Sequence, residues 1–355
     1  MNTRATLLRR TAVTLAAVVV AMVPSVGYSA SPSAVADQDR NATTAPAVAA
    51  TQPLPARIDY VALGDSFTAG PFSPLQRTDP LGCFRSTRNY PAFLASALGV
   101  RTYVDVSCSA AETADMTSPQ TLPIGTNPAQ LDSLRRTTDL VTLGIGGNDF
   151  GLFGELTSRC PEVRESDPTG SPCKQEFTVD GVDTKMRDAA ATEGRVAAVI
   201  AKIHKRSPNA TVAVVGYLRL LPPTGTCVDE VPFADGDYAW ADAVERRLNA
   251  SIRNAAESSD ASYVNTFGVS KGHDVCAGER AWVNGQTLKP LEAFPYHPFA
   301  VGMQAVAAKT HRTLTGDPAR AANPYDSGAA TLTKAGQRQL ATLITGRAPA
   351  RLGFR

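Results

Sequence analysis

Five short stretches of this chain, residues 58–63, 101–106, 140–145, 211–217 and 261–265, are dominated by apolar or β-branched residues, and the first runs directly into Gly64. A strand with one face in water alternates in polarity along its length. Most of these runs do not alternate, which predicts strands buried on both faces. Helical patterns lie between and beyond them. Residues 90–98 read as a short helix, and 187–205 and 238–257 place apolar side chains at three- and four-residue spacings with charges on the remaining face. Residues 299–310 and 332–344 continue the pattern. Strand–helix alternation of this kind predicts an α/β fold with helices on both faces of a central, mostly parallel five-stranded sheet.

The ends of the chain read differently. Arg4, Arg9 and Arg10 precede an apolar stretch at 11–26 and the small residues around Ala30, so residues 1–30 are expected to be a signal peptide and the protein to be secreted, with an uncleaved N-terminal anchor as the alternative. The apolar stretch is shorter than the roughly 18 residues of a stable membrane span. The Arg9-Arg10 pair leaves the general and the twin-arginine export routes both open. Residues 31–56, rich in Ala, Thr, Pro and Ser, predict a flexible linker. The folded domain is expected over 57–316, followed by a 317–355 extension holding one surface helix and a mobile basic stretch at 347–355. The net charge of +2 falls close to zero once the leader arginines are set aside, and no cluster of Lys and Arg recommends a nucleic-acid partner.

Six cysteines in an exported chain favour three disulfides. Cys83 and Cys108 flank the second strand, Cys160 and Cys173 bracket a Pro- and Asp-rich loop, and Cys227 and Cys276 bracket a helix and a strand. Of the fifteen connectivities open to six cysteines, the sequential one is adopted. No Cys-x-x-Cys or paired-His spacing supports a metal site, and none is expected.

In open parallel sheets the reactive crevice lies beyond the carboxyl ends of the strands. Two turns there are unusual: Gly64-Asp65-Ser66-Phe67-Thr68 and Gly146-Gly147-Asn148-Asp149-Phe150. Gly64 permits a sharp turn, after which Ser66 can present both its hydroxyl and its N–H to the crevice. An Asp-Ser pair there also suits a simple helix cap. Asn148 offers a neutral amide donor for an oxygen that gains charge during acyl transfer. A dinucleotide fingerprint is opposed by Asp149, which replaces its third glycine. A serine needs an adjacent base, most often histidine. His204, His273 and His311 sit in ordinary helical or turn settings. His297 is followed by Pro298, which predicts that the imidazole stands at the entrance of a helix with proline in its first position.

Together these residues resemble the SGNH, or GDSL, hydrolase family. The blocks are Val61-Ala62-Leu63-Gly64-Asp65-Ser66-Phe67-Thr68-Ala69-Gly70, Gly146-Gly147-Asn148-Asp149 and His297-Pro298, in family order over roughly residues 60–309. The cysteine layout is similar to that of secreted actinomycete lipases and esterases of the family. The resemblance implies a flavodoxin-like three-layer α/β/α sandwich, no cofactor, and hydrolysis of carboxylic esters. It implies Ser66 as nucleophile, His297 as general base, and an oxyanion hole from the N–H groups of Ser66 and Ala110 with the Asn148 side chain. The chain departs from the family pattern twice. Ala110 replaces a usual glycine, and its N–H is expected to serve if the local φ is below zero. Phe294 stands where an aspartate often precedes the histidine, so a carbonyl, of Phe294 or of Pro295, is expected to orient the imidazole in a Ser–His dyad. The expected substrate is a lipid ester, taken by a monomer with at most transient contact with lipid surfaces. Loops 72–88 and 159–174 are expected to set substrate size. Phospholipase A or thioesterase activity, or a silent lipid- or glycan-binding role, are the alternatives.

Overall fold

The computed structural model describes residues 53–319 and 322–345. The expected signal peptide, most of the linker and the basic stretch 347–355 lie outside the described residues.

Each of the five sequence runs forms a strand: β1 (Asp59–Gly64), β2 (Thr102–Asp105), β3 (Leu140–Gly144), β4 (Thr211–Val215) and β5 (Ser262–Val264). They make one parallel sheet in the order β2-β1-β3-β4-β5. Every residue of β3 is buried, as is nearly all of β1 and β4, because these strands are covered on both faces and must be apolar throughout. The edge strand β2, by contrast, is mostly exposed or half-buried.

Among the described residues, six longer helices accompany the sheet: α1 (Tyr90–Leu98), α2 (Leu152–Val163), α3 (Thr184–Arg206), α4 (Asp235–Glu257), α5 (Ala300–Thr315) and α6 (Lys334–Thr345). The chain moves outward from β1 to β2, then returns past β1 to β3 and continues the other way. Right-handed crossovers therefore put α1 on one face and α3 and α4 on the other. In agreement, α3 packs along α4, while α5 returns to pack on α1. The reversal leaves a crevice between the carboxyl ends of β1 and β3, where Gly64 and Gly144 are register partners. Both motif turns thus leave the sheet side by side.

The sequential disulfides Cys83–Cys108, Cys160–Cys173 and Cys227–Cys276 are present. Cys160 lies in α2 and Cys173 in a short helix, Pro172–Glu176, so much of the segment expected as a loop is helical. Leu152, Phe153 and Leu156 give α2 an apolar face that the Pro and Asp content of the following residues obscured. Pro298 does not open α5. It pairs with Val283 in an extended bridge, and the helix begins two residues later behind Phe299. Helix α6 keeps an exposed outer face, as expected of a surface helix, while Gln337, Leu340, Ala341 and Ile344 form a buried stripe on its inner side.

Candidate active site

At the end of β1 the Gln130 side-chain amide clamps Gly64, accepting from its N–H at 2.8 Å and donating to its carbonyl at 2.9 Å. A Cβ on Gly64 would lie 2.2 Å from Thr68 Oγ1 and 2.6 Å from the Gly144 carbonyl, so only glycine fits. Asp65 donates its N–H to that carbonyl at 2.9 Å, and its carboxylate caps the short helix Ser66–Ala69 by accepting from Phe67 N–H. The capping function thus falls to Asp65. Ser66, the first helical residue, is 7% exposed, and its N–H, as at any helix start, has no intrahelical acceptor.

The second turn is shaped by similar crowding. Gly146 has φ +115°, and a Cβ there would meet Thr192 at 2.7 Å, while one on Gly147 would meet Tyr217 at 2.9 Å. Tyr217, just beyond β4, joins the two turns. Its hydroxyl accepts from Gly147 N–H at 2.7 Å and donates to the Asp65 carboxylate. Burial pushes Asp65 up to about 7, opposed by the hydrogen bonds from Tyr217 and Phe67. Asn148 donates through Nδ2 to the Ala111 carbonyl at 3.0 Å, which aims the amide along the turn after β2. Asp149 anchors that same turn by accepting from Thr113 Oγ1 at 2.8 Å, and holds Arg195 of α3 at 2.9 Å. Gln130, Tyr217 and Arg195 carry no motif, and nothing in their sequence surroundings singled them out.

The turn after β2 overturns one expectation. Ala110 has φ +62°, in the left-handed region, rather than below zero. It keeps the conformation a glycine would adopt, held there by the Cys83–Cys108 disulfide and by hydrogen bonds from Ser109 N–H to Cys83 and from Ala111 N–H to Cys108. Alanine is strained by about 1–2 kcal/mol in this region, while glycine costs more chain entropy on folding. Ala110→Gly is therefore expected to stabilise the protein by up to about 1 kcal/mol in urea unfolding, with kcat/KM unchanged; a loss of stability would show that the strain is absent.

His297 is 3% exposed. Its Nδ1 lies 2.7 Å from the Pro295 carbonyl. The Phe294 carbonyl, the other expected acceptor, is engaged instead by His297 N–H at 3.2 Å and by Asn284 Nδ2 at 3.2 Å. The imidazole sits among three aromatic rings, Phe67, Phe153 and Phe294, at centroid separations of 5.2, 5.6 and 5.6 Å. Burial there pushes His297 down to about 4, opposed by the hydrogen bond to Pro295. A neutral ring whose Nδ1–H faces a carbonyl leaves Nε2 as the proton acceptor. That atom is buried and makes no hydrogen bond within the described residues, to Ser66 or to any other group. The remaining histidines are occupied elsewhere: His204 with the Ser259 carbonyl, His273 stacked on Trp282, and His311 with the Asp317 carbonyl.

Ser66 and Asn148 line one cleft of about 690 Å³, open mouth included. Its walls are Leu152, Phe153 and Leu156 from α2, Leu220, Leu221 and Phe233 from the segment after β4, and Ala241, Val244 and Leu248 from α4. Residues 72–88 and 159–174, expected to set substrate size, contribute none of this lining. Glu245 also borders the cleft, but its carboxylate accepts from Leu220 N–H at 2.8 Å, and burial pushes it up to about 8.

Comparison with known proteins gives consistent matches. The GDSL-like Lipase/Acylhydrolase family matches residues 62–305. A Streptomyces coelicolor protein named Lipase 2 is 39% identical over 282 residues, which is 77% of this chain and 91% of that one. Among solved structures, phospholipase A1 from Streptomyces albidoflavus NA297 superposes with a TM-score of 0.60 at 27% identity, covering 72% of this chain and 98% of that one. The extracellular lipase of Streptomyces rimosus gives 0.52 at 27% identity, with 73% and 99% covered.

Proposed function

Because the chain belongs to the GDSL-like lipase/acylhydrolase family and is thereby a carboxylic ester hydrolase, we propose that it is a secreted serine hydrolase of lipid esters that works through an acyl-enzyme on Ser66. The observation that carries this reading is the cleft, whose mostly apolar lining includes Ser66 and Asn148. An aliphatic acyl chain gains roughly 0.8 kcal/mol for each methylene it buries, and such a slot offers little to a polar substrate. Ser66 Oγ attacks the acyl carbon as His297 Nε2 takes its proton. The oxyanion is held by the N–H groups of Ser66 and Ala110 and by Asn148 Nδ2. Collapse expels the alcohol, protonated by His297, and water then repeats the sequence to release the acid. Secretion is supported by three disulfides, which persist in oxidising surroundings. Among the described residues, no helix is long and apolar enough to cross a membrane.

Phospholipase A activity is the second reading, favoured by the likeness to the Streptomyces albidoflavus phospholipase A1. Hydrolysis of nitrophenyl esters from acetyl to palmitoyl, alongside fatty-acid release from phosphatidylcholine vesicles, tests both. The kcat/KM is expected to rise from acetyl to medium-length chains as the slot fills. No turnover of any ester would refute the proposal, and release from vesicles exceeding that from simple esters would favour the phospholipase.

A further inference from the structure

We infer that Gln337, on helix α6 beyond the end of the family match, is a positioning residue that holds the backbone of the His297 loop in register with the nucleophile turn. The inference rests on the proposed role of His297 as base. Among the described residues no carboxylate is hydrogen-bonded to its imidazole; the ring is oriented by Pro295, a carbonyl of its own loop. An orienting group built from backbone is only as fixed as the loop that carries it, so something must immobilise that loop.

Gln337 is fully buried in the stripe that α6 turns inward. It lies beside a second hydrophobic cluster, separate from the main core, in which Leu340, Ala341 and Ile344 meet Phe72 and Phe84, with Phe294 at its border. A glutamine in such a stripe exposes no polar atom to water, and both ends of its amide bind backbone. Nε2 donates to the Phe72 carbonyl at 2.8 Å and to the Pro290 carbonyl at 2.9 Å, while Oε1 accepts from Gln76 N–H at 3.1 Å. One side chain therefore joins the 72–76 segment to the start of the histidine loop. The link continues inward. Phe294 donates its N–H to the Pro71 carbonyl at 2.9 Å and stacks on Phe72 at 5.9 Å, and its own carbonyl receives His297 N–H. Releasing Gln337 loosens the Phe72 and Pro290 ends of this link, leaving Phe294 to its bonds with Pro71 and Asn284, and displacement of a catalytic group by about 1 Å can cost about a hundredfold in rate.

The test uses the full chain carrying Gln337→Met, which keeps the length and apolar contact but none of the hydrogen bonds, and Gln337→Glu, which keeps the acceptor for Gln76. Rates are expressed per active site titrated with a fluorophosphonate, so that unfolded protein does not count. The expected result is a ten- to hundredfold fall in kcat for Gln337→Met, with KM within twofold and a smaller fall for Gln337→Glu. The Nδ1 proton resonance of His297 should also shift or broaden. Leu343→Ala, on the exposed face of α6, serves as the control and should leave kcat unchanged. Wild-type kcat per site in both Gln337 variants, with the resonance unmoved, overturns the inference. Full activity in His297→Ala would instead overturn the proposed mechanism, so the two failures are distinguishable.

Discussion

Ser66→Ala is expected to lower kcat/KM for a nitrophenyl ester by at least about 10⁴-fold, and His297→Ala by a similar factor. The double variant should be little worse than either single one, because nucleophile and base act as a unit. The structure adds a sharper expectation: no single Asp or Glu substitution should equal these losses, because Nδ1 of His297 faces the Pro295 carbonyl and not a carboxylate. Asp65 and Asp149 are the demanding cases, since both are buried and hold the motif turns. Their replacement by Asn should cost stability and some rate, yet leave a measurable enzyme. Loss of activity in Asp65→Asn or Asp149→Asn as complete as in Ser66→Ala would end the dyad. The pH profile supplies a second check. Only the neutral imidazole accepts a proton, and burial pushes His297 down to about 4, so the acid limb of kcat/KM should fall near pH 4 and not near an ordinary histidine's value. A limb at higher pH that moves on Asp65→Asn would belong to Asp65; one that does not would mean that the ring is wetter than its aromatic surroundings allow.

Asn148→Ala carries the next largest effect, a fall of about 10²–10³ in kcat, equivalent to about 3–4 kcal/mol of lost transition-state stabilisation. KM should change little, since the oxyanion exists only after attack. Stability should fall by no more than about 1 kcal/mol, the value of the hydrogen bond to Ala111. The contrast between a large kinetic loss and a small stability loss is the signature sought, in paired measurements of kcat and urea unfolding. A kcat within about fivefold of wild type would remove Asn148 from the oxyanion hole and leave its amide as a brace for the turn after β2.

Local patterning carried much of this protein into view. The five apolar runs each became a strand because a sheet covered on both faces requires apolar residues at every position, a constraint written residue by residue. Ser66, Asn148 and His297 stand out as candidates in the sequence because each lies near a residue with a local conformational signature: Gly64, the Gly146-Gly147 pair and Pro298. The same locality explains the misreadings. His297-Pro298 by itself predicts a helix start, but the pairing of Pro298 with Val283 arises from a contact fifteen positions away that no window around the proline contains.

What tertiary structure alone decided is how those residues are held. Gln130 clamps Gly64, Tyr217 links Asp65 to Gly147, Asn284 fixes the Phe294 carbonyl and Gln337 joins Phe72 to Pro290. Each is a polar side chain bonded largely to backbone, and any residue type supplies the same carbonyl or N–H as a partner, so the partner leaves no mark on the sequence. Ala110 shows the same division, since its side chain prefers negative φ while the disulfide and neighbouring hydrogen bonds impose a positive one. Periodicity and motif spacing determined the fold and nominated the proposed reacting groups, because those depend on what each residue is. Long-range backbone hydrogen bonds set their orientation, because that depends only on where the chain has been brought.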